Sequence, residues 1–162
     1  MNFFDNHDPY SNLSCVYNVT NYVLRDKAGQ GNAMNRFSGG MNVFDLSKAG
    51  EEFMQVKRYY GKMFGRQIKH FYITFDKDEP VTPELAYILA YHISMFYRSR
   101  FQVVFSVHEE TENLHIHVAV NTVSFIDGKK LHEGLEELYA FEIFCRDCYK
   151  ALMKSRTDEY IT

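Results

Sequence analysis

From Leu114 to Val123 apolar and polar residues alternate, the period of a half-buried strand whose side chains point to opposite faces in turn. Leu114, Ile116, Val118 and Val120 share one face, and His115, His117, Ala119 and Asn121 the other. Gln102–Val107 is a second apolar run, rich in β-branched and aromatic residues. The polar stretch Glu109–Asn113 after it can turn the chain, so the two runs predict an antiparallel hairpin. Ile68–Phe75 reads as another strand, ended by the Asp76–Pro80 cluster. Helical spacing takes over elsewhere. Ala49, Phe53, Val56, Tyr60 and Met63 predict an amphipathic helix over Ser47–Phe64 with Ser47 as its N-cap. Thr82 as N-cap and Pro83 at the first helical position open a second helix to about Arg98, with Leu85, Ile88, Leu89, His92 and Phe96 on one stripe. Leu138, Phe141, Cys145, Cys148 and Leu152 mark the stripe of a last helix at about Leu135–Lys154.

Leu13–Leu24 reads as a short strand running into a turn or short helix that Asn18 or Thr20 could cap, and residues 1–12 as a flexible lead-in. Glycine-rich Arg25–Gly40 shows no sustained period and is expected to be a mobile loop or loose hairpin. Asp127-Gly128 is a tight-turn dipeptide. This order of elements predicts an α+β fold: a central, mainly antiparallel sheet carrying the histidine strand, with helices packed mainly on one side. Its 162 residues, 46% hydrophobic and 16% aromatic, suit one domain over 1–162. The chain stops soon after its last helix, so it is expected to be either a domain cut from a longer protein or a minimal domain.

No run approaches the roughly 18 apolar residues that span a bilayer, and the amino terminus lacks a basic-then-apolar signal, so a cytoplasmic protein is expected. Three cysteines give no disulfide framework, and Cys145 and Cys148, both on the last helix's stripe, read as core. The net charge of -3 exerts no global pull toward nucleic acid, but local patches matter more than the total. From Phe53 to Phe75 there is no acidic residue, while Lys57, Arg58, Lys62, Arg66 and Lys69 all fall there. That stretch is either a solvated face or a phosphate-tracking patch.

The candidate chemistry lies at the hairpin. Neighbours on one face of a strand sit about 6.5–7 Å apart, so His115 and His117 can converge on one ion, and an antiparallel neighbour brings His108 beside His115. Three neutral imidazoles leave coordination positions open for water or substrate. Glu110 and Asn121 could supply hydrogen bonds that orient the rings. His70 has no partner in the sequence and reads as structural.

The stretch His108-Glu-Glu-Thr-Glu-Asn-Leu-His115-Ile-His117-Val-Ala-Val-Asn121 resembles the third motif of plasmid mobilisation relaxases, the His-hydrophobic-His single-strand DNA endonucleases. The likeness runs from about Tyr17 to Met153. It includes Asn21-Tyr22-Val23-Leu24-Arg25-Asp26-Lys27, the strand His70–Phe75, Val81-Thr82-Pro83-Glu84 opening a helix, and the segment from Asn121 to Lys130. The resemblance implies that His108, His115 and His117 hold a divalent cation, magnesium or manganese in use, on the scissile phosphate. It also implies that Tyr22 is the nucleophile and that the product is a 5′-phosphotyrosine. The family's motif has aspartate where this chain has Glu110. On the residues alone Tyr10 and Tyr17 are rival nucleophiles, but Tyr22 lies in the segment that resembles the family's tyrosine motif. A phenol, with a pKa near 10, needs a metal or base to shed its proton at neutral pH.

The partner so implied is single-stranded DNA at a transfer origin, with an accessory mobilisation protein beside it. The basic stretch Lys57–Lys69, with Lys129 and Lys130, would track phosphates, and Tyr59, Tyr60 and Phe64 would stack bases. The competing readings are a replication-initiating nuclease of the same superfamily, which typically places its tyrosine on a later helix, and a non-catalytic DNA-binding or metal-storing module.

Overall fold

In the computed structural model, residues 1–5, 9–25, 34–109, 113–132 and 134–159 are described. Five strands and four helices follow one another as β1 (Asn2–Asp5), α1 (Ser14–Leu24), β2 (Ser38–Met41), α2 (Ala49–Tyr59), β3 (Ile68–Thr74), α3 (Pro83–Ser94), β4 (Val103–His108), β5 (His115–Asn121) and α4 (Leu135–Glu159). The strands form one antiparallel sheet in the order β1-β3-β5-β4-β2. The α+β class and the central place of the histidine strand are as expected. The helices, however, cover both faces.

Strand alternation decides which face is which. Phe71, Ile73, Val103, Phe105, Val107, Ile116, Val118 and Val120 pack with Leu89 and Ile93 of α3 and Phe141 and Cys145 of α4. Opposite-parity residues Ile68, Val104 and Ala119 pack under Val16, Val19 and Val23 of α1 and Phe53 and Met54 of α2. That second face also carries His70, His108, His115 and His117, and its apolar patch covers only one end of the strands. The polar end lies beneath the carboxyl end of α1.

Four sequence expectations are corrected. Leu13–Leu24 contains no strand: Ser14–Leu24 is helical, burying Val16, Val19, Thr20, Val23 and Leu24 at the spacing of one helix face. β-branched residues favour strands, but here the tertiary contact decides, and the Thr20 hydroxyl donates back to the Val16 carbonyl at 2.8 Å. Asn18 and Thr20 therefore sit inside the helix and cap nothing. Residues 2–5 are an edge strand paired with 71–74, with Phe3 against Phe71 and Phe141 at 5.4 and 5.6 Å. The antiparallel bridge between Arg25 and Met34 agrees with the loose-hairpin alternative for Arg25–Gly40, and the correction there is the edge strand that begins at Ser38 and runs to Met41. Residues 26–33 lie outside the described residues.

The fourth correction is the length of α2. Asp45 caps a short 3-10 turn at Leu46–Lys48, accepting from the Ser47 amide at 2.9 Å, and α2 follows it. Gly61, at φ +62°, stops the helix short of Phe64. Its amide donates to the Arg58 carbonyl at 3.1 Å and that of Lys62 to Lys57 at 2.9 Å, the paired bonds of a Schellman cap.

The remaining elements agree closely. Thr82 caps α3 and Pro83 opens it, although the buried stripe is Ala86, Leu89, Ala90 and Ile93 and leaves His92 exposed. Gly128, at φ +68°, makes the predicted turn, closed by a bridge between Val123 and Lys130. Cys145 is buried, and burial pushes its thiol up, which suits packing and not redox chemistry. No described helix is long and apolar enough to cross a membrane.

Candidate active site

The hairpin register pairs His108 of β4 directly with His115 of β5, and His117 lies one same-face step further along. The ring centroids of His108 and His115 are 5.4 Å apart, those of His108 and His117 4.7 Å, and those of His115 and His117 4.9 Å. One ring nitrogen from each lies within 4.8 Å of the other two, and all three side chains are buried. Each ring also commits one nitrogen to a neighbour. His108 Nε2 donates to the Val23 carbonyl at 2.9 Å, His115 Nδ1 to the Asn113 carbonyl at 3.0 Å, and His117 Nδ1 lies 3.0 Å from His70 Nε2.

The opposite nitrogens are then the candidate ligand atoms. Two of them, His108 Nδ1 and His117 Nε2, are buried polar atoms with no hydrogen bond among the described residues. Such a cluster fits a divalent cation. Three imidazoles with outer partners already fixing their orientation could hold such an ion and leave coordination positions open for water or substrate.

Tyr22 stands over this cluster. It lies in the last turn of α1, its ring 5.2 Å from His117, 6.1 Å from His108 and 5.9 Å from His70. Val23, whose carbonyl holds His108, is the next residue, so the turn bearing Tyr22 is tied to a candidate ligand. Tyr22 remains 37% exposed and lines an open cleft of about 540 Å³ with Asn18, Asn21, Arg25, Met34 and Ser47. The Arg25 guanidinium lies 5.8 Å from its ring centroid.

The rival tyrosines sit differently. Tyr17 donates to Glu51 on α2 at 2.7 Å, and that bond raises its pKa, the opposite of activation. The Tyr10 hydroxyl is 3.3 Å from His70 Nδ1, one ring further from the candidate ligands than Tyr22.

The family model described as relaxase, MobA/VirD2-like, nuclease domain, matches residues 22–152, from Tyr22 through the histidines into α4. The chain belongs to this family. Among curated proteins it is similar to Protein rlx of Staphylococcus aureus, 27% identical over 95 residues, which is 59% of this chain. That alignment spans 28% of the Staphylococcus protein's length. No solved structure matches.

Other residues expected at the relaxase site fall elsewhere. Asn121 shares the histidine face, but it is four residues beyond His117, roughly 13 Å along the strand. It orients no histidine: its amide donates to Phe53 O at 3.2 Å and Gln102 Oε1 at 2.8 Å, and its Oδ1 accepts from Lys57 at 2.6 Å. Glu110 lies outside the described residues.

Lys57 and Lys69 are corrected as DNA contacts, because both are fully buried. Lys57 Nζ donates to Gln67 O and Asn121 Oδ1, each at 2.6 Å. Lys69 points to the opposite face, 3.8 Å from Asp5 and between the rings of Phe71 and Phe141.

The other basic residues reach the surface. Arg58 pairs with Glu51 at 2.6 Å and Arg66 with Asp5 at 3.7 Å. Lys129 lies 3.7 Å from Asp127. Lys62 and Lys130 each place an ammonium 5.7 Å from the Phe64 ring, and Lys130 also donates to the carbonyls of Phe64 and Arg66.

Lys57 yields a stability prediction. Burial, with the Lys130 charge adding to it, pushes its pKa from 10.5 down to about 7. A neutral amine still has two protons for its two acceptors. Between pH 7 and 10.5 the unfolded chain therefore holds a proton that the folded chain has released, and this group makes stability rise with pH over that window. Below pH 7 its cost to folding is constant. Replacing it by methionine, Lys57→Met, is expected to remove that rise and to cost about 1–3 kcal/mol, because the Gln67 carbonyl loses this buried donor and Asn121 Oδ1 keeps only the Val123 amide at 3.2 Å. Urea denaturation of both proteins from pH 6.5 to 9 checks it, and parallel stability-pH curves would contradict the assignment.

Sequence reasoning missed His70. Its position two residues from Ile68 and Tyr72 marks it as same-face, but its meeting with His117 depends on the long-range register of β3 against β5, in which Tyr72 pairs with His117 and His70 with Ala119.

Proposed function

We propose that this chain nicks one strand of DNA at a mobilisation origin by transesterification, with Tyr22 as nucleophile and His108, His115 and His117 holding a divalent cation, magnesium or manganese. The observation that carries the reading is the Tyr22 ring, 5.2 Å from His117 and itself lining an open cleft. When bound, the cation supplies charge withdrawal from the non-bridging phosphate oxygens and eases loss of the phenol proton. Tyr22 Oη forms a bond to phosphorus, the P–O3′ bond breaks with its electron pair, and the leaving oxygen takes a proton to become a 3′-hydroxyl. The 5′-phosphate stays on Tyr22, and reversal of the step reseals the strand. Arg25, beside the Tyr22 ring, offers a cation to the approaching phosphate. The order of tyrosine before histidines, together with the relaxase match, favours mobilisation over replication initiation.

The experiment is to incubate the chain and manganese with single-stranded oligonucleotides tiled across the transfer origin of its own genetic element. The expected result is a denaturant-resistant adduct carrying the 5′ end of one oligonucleotide, lost with a chelator. DNA binding without any adduct would leave a non-catalytic module.

Single-stranded DNA would leave the cleft over Lys62, Lys130, Lys129, Arg66 and Arg58, with Phe64, 62% exposed, and Tyr59, 82% exposed, as stacking surfaces. Phe64→Ala is expected to weaken binding of a 20-mer roughly fivefold to a hundredfold, the range for loss of one stacked base. Lys62→Ala is expected to flatten the slope of log affinity against log salt by about 0.7. Fluorescence anisotropy at several salt concentrations reads both, and manganese affinity serves as the control that neither change should move.

A further inference from the structure

Among the described residues, His70 is the one histidine on the active face that the proposed chemistry does not use, and its place in the network is specific. Its Nε2 lies 3.0 Å from His117 Nδ1, and its Nδ1 lies 3.3 Å from the Tyr10 hydroxyl. The three groups form a line from the candidate ligand cluster to Tyr10 in the segment before α1. Two imidazole nitrogens 3.0 Å apart share a single proton, so each ring's tautomer sets the other's.

We propose that His70 is a positioning residue for the metal centre, accepting the Nδ1 proton of His117 so that His117 Nε2 faces the ion, and donating its own Nδ1 proton to Tyr10. The inference rests on the reading of the three histidines as ligands. A neutral His117 that offers Nε2 as a ligand must carry its proton on Nδ1. His70 Nε2 must then be the acceptor, which places the His70 proton on Nδ1, toward the Tyr10 oxygen. Both imidazole protons in the line are assigned by that one choice, and no charge is created. Such outer partners fix ring orientation and typically govern metal affinity by 10–100-fold.

Tyr10 supplies a second observation. Its backbone has φ +38°, left-handed space that a residue with a Cβ seldom occupies, and its carbonyl accepts from the Gln67 amide at 2.9 Å beside the start of β3. The loop is thus held in a strained turn that brings the phenol against His70.

The test is calorimetric titration of the full chain with manganese, for wild type, His70→Phe and His70→Gln. Glutamine keeps an acceptor near the Nε2 position, whereas phenylalanine keeps the ring volume and loses the acceptor. His70→Phe is expected to weaken manganese binding 10–100-fold, and His70→Gln to stay within a few-fold of wild type. A core packing role makes the opposite prediction, since phenylalanine is the closer match in shape. Equal metal-free melting temperatures for the two variants exclude a folding defect. Nitrogen-15 NMR of the wild type adds a readout that needs no variant: on addition of zinc, His70 should show its proton on Nδ1. Unchanged manganese affinity in His70→Phe, glutamine as weak as phenylalanine in an intact fold, or a His70 proton on Nε2 in the zinc-loaded protein would each overturn the role of His70. A wild type that binds neither metal removes the centre itself, a different failure from wild-type binding that His70→Phe leaves unchanged.

Discussion

Tyr22→Phe is expected to abolish the covalent DNA adduct while leaving manganese affinity and oligonucleotide binding within about twofold of wild type. The reasoning is local. The hydroxyl is the only group removed, and the ring contacts to His70, His108 and His117 are made by the aromatic face and edge, which phenylalanine retains. The carbonyl that holds His108 belongs to the next residue and is untouched. Loss of the attacking oxygen removes the pathway and does not merely slow it. Tyr17→Phe is expected to form the adduct normally, because Tyr17 faces Glu51 and Arg58. The measurement is a denaturing gel of labelled oligonucleotide with each protein. An adduct that survives Tyr22→Phe and disappears with Tyr17→Phe or Tyr10→Phe would reassign the nucleophile.

The second large effect concerns the metal. Manganese or zinc at a hundred times its dissociation constant is expected to stabilise the wild type by about 2.7 kcal/mol, seen as a rise in melting temperature that a chelator reverses. His115→Ala and His108→Ala are each expected to remove that rise. They should differ without metal. His115 donates to the nearby Asn113 carbonyl, two residues away in the chain, whereas His108 is fully buried and ties β4 to the last turn of α1. The metal-free His108→Ala protein is therefore expected to be the less stable by about 1–3 kcal/mol, the cost of leaving the Val23 carbonyl without its buried donor. A metal-induced shift that persists in both variants would place the ion elsewhere.

Much of this site could be read from the chain because it obeys local periods. His115 and His117 share a face by strand alternation, and His108 joins them through a hairpin whose turn is short and polar. α3 and the Asp127-Gly128 turn carry their own local signals in Thr82, Pro83 and Gly128. What escaped depends on contacts distant in sequence. His70 reaches His117 only through the pairing of β3 with β5. The valines and threonine of α1 have strand propensity, and only packing against Ile68, Val104 and Ala119 makes them helical. Lys57 and Lys69 look like solvated charges. Yet Lys57 lies one helical turn after buried Phe53, and Lys69 alternates with Phe71 on the core face, so both were aligned with apolar neighbours whose burial they share. The two four-residue edge strands were too brief to show a period.

The attachment point proposed for DNA, Tyr22, lies in the closing turn of an 11-residue helix. In a protein that stays joined to a strand while that strand is drawn away, tension at Tyr22 passes into α1, through the buried side of that helix and the Val23–His108 bond, and into the middle of the sheet. Under the proposed chemistry the cargo would hang from the framework of the domain, and pulling on it would load the same link that keeps Tyr22 beside the histidines.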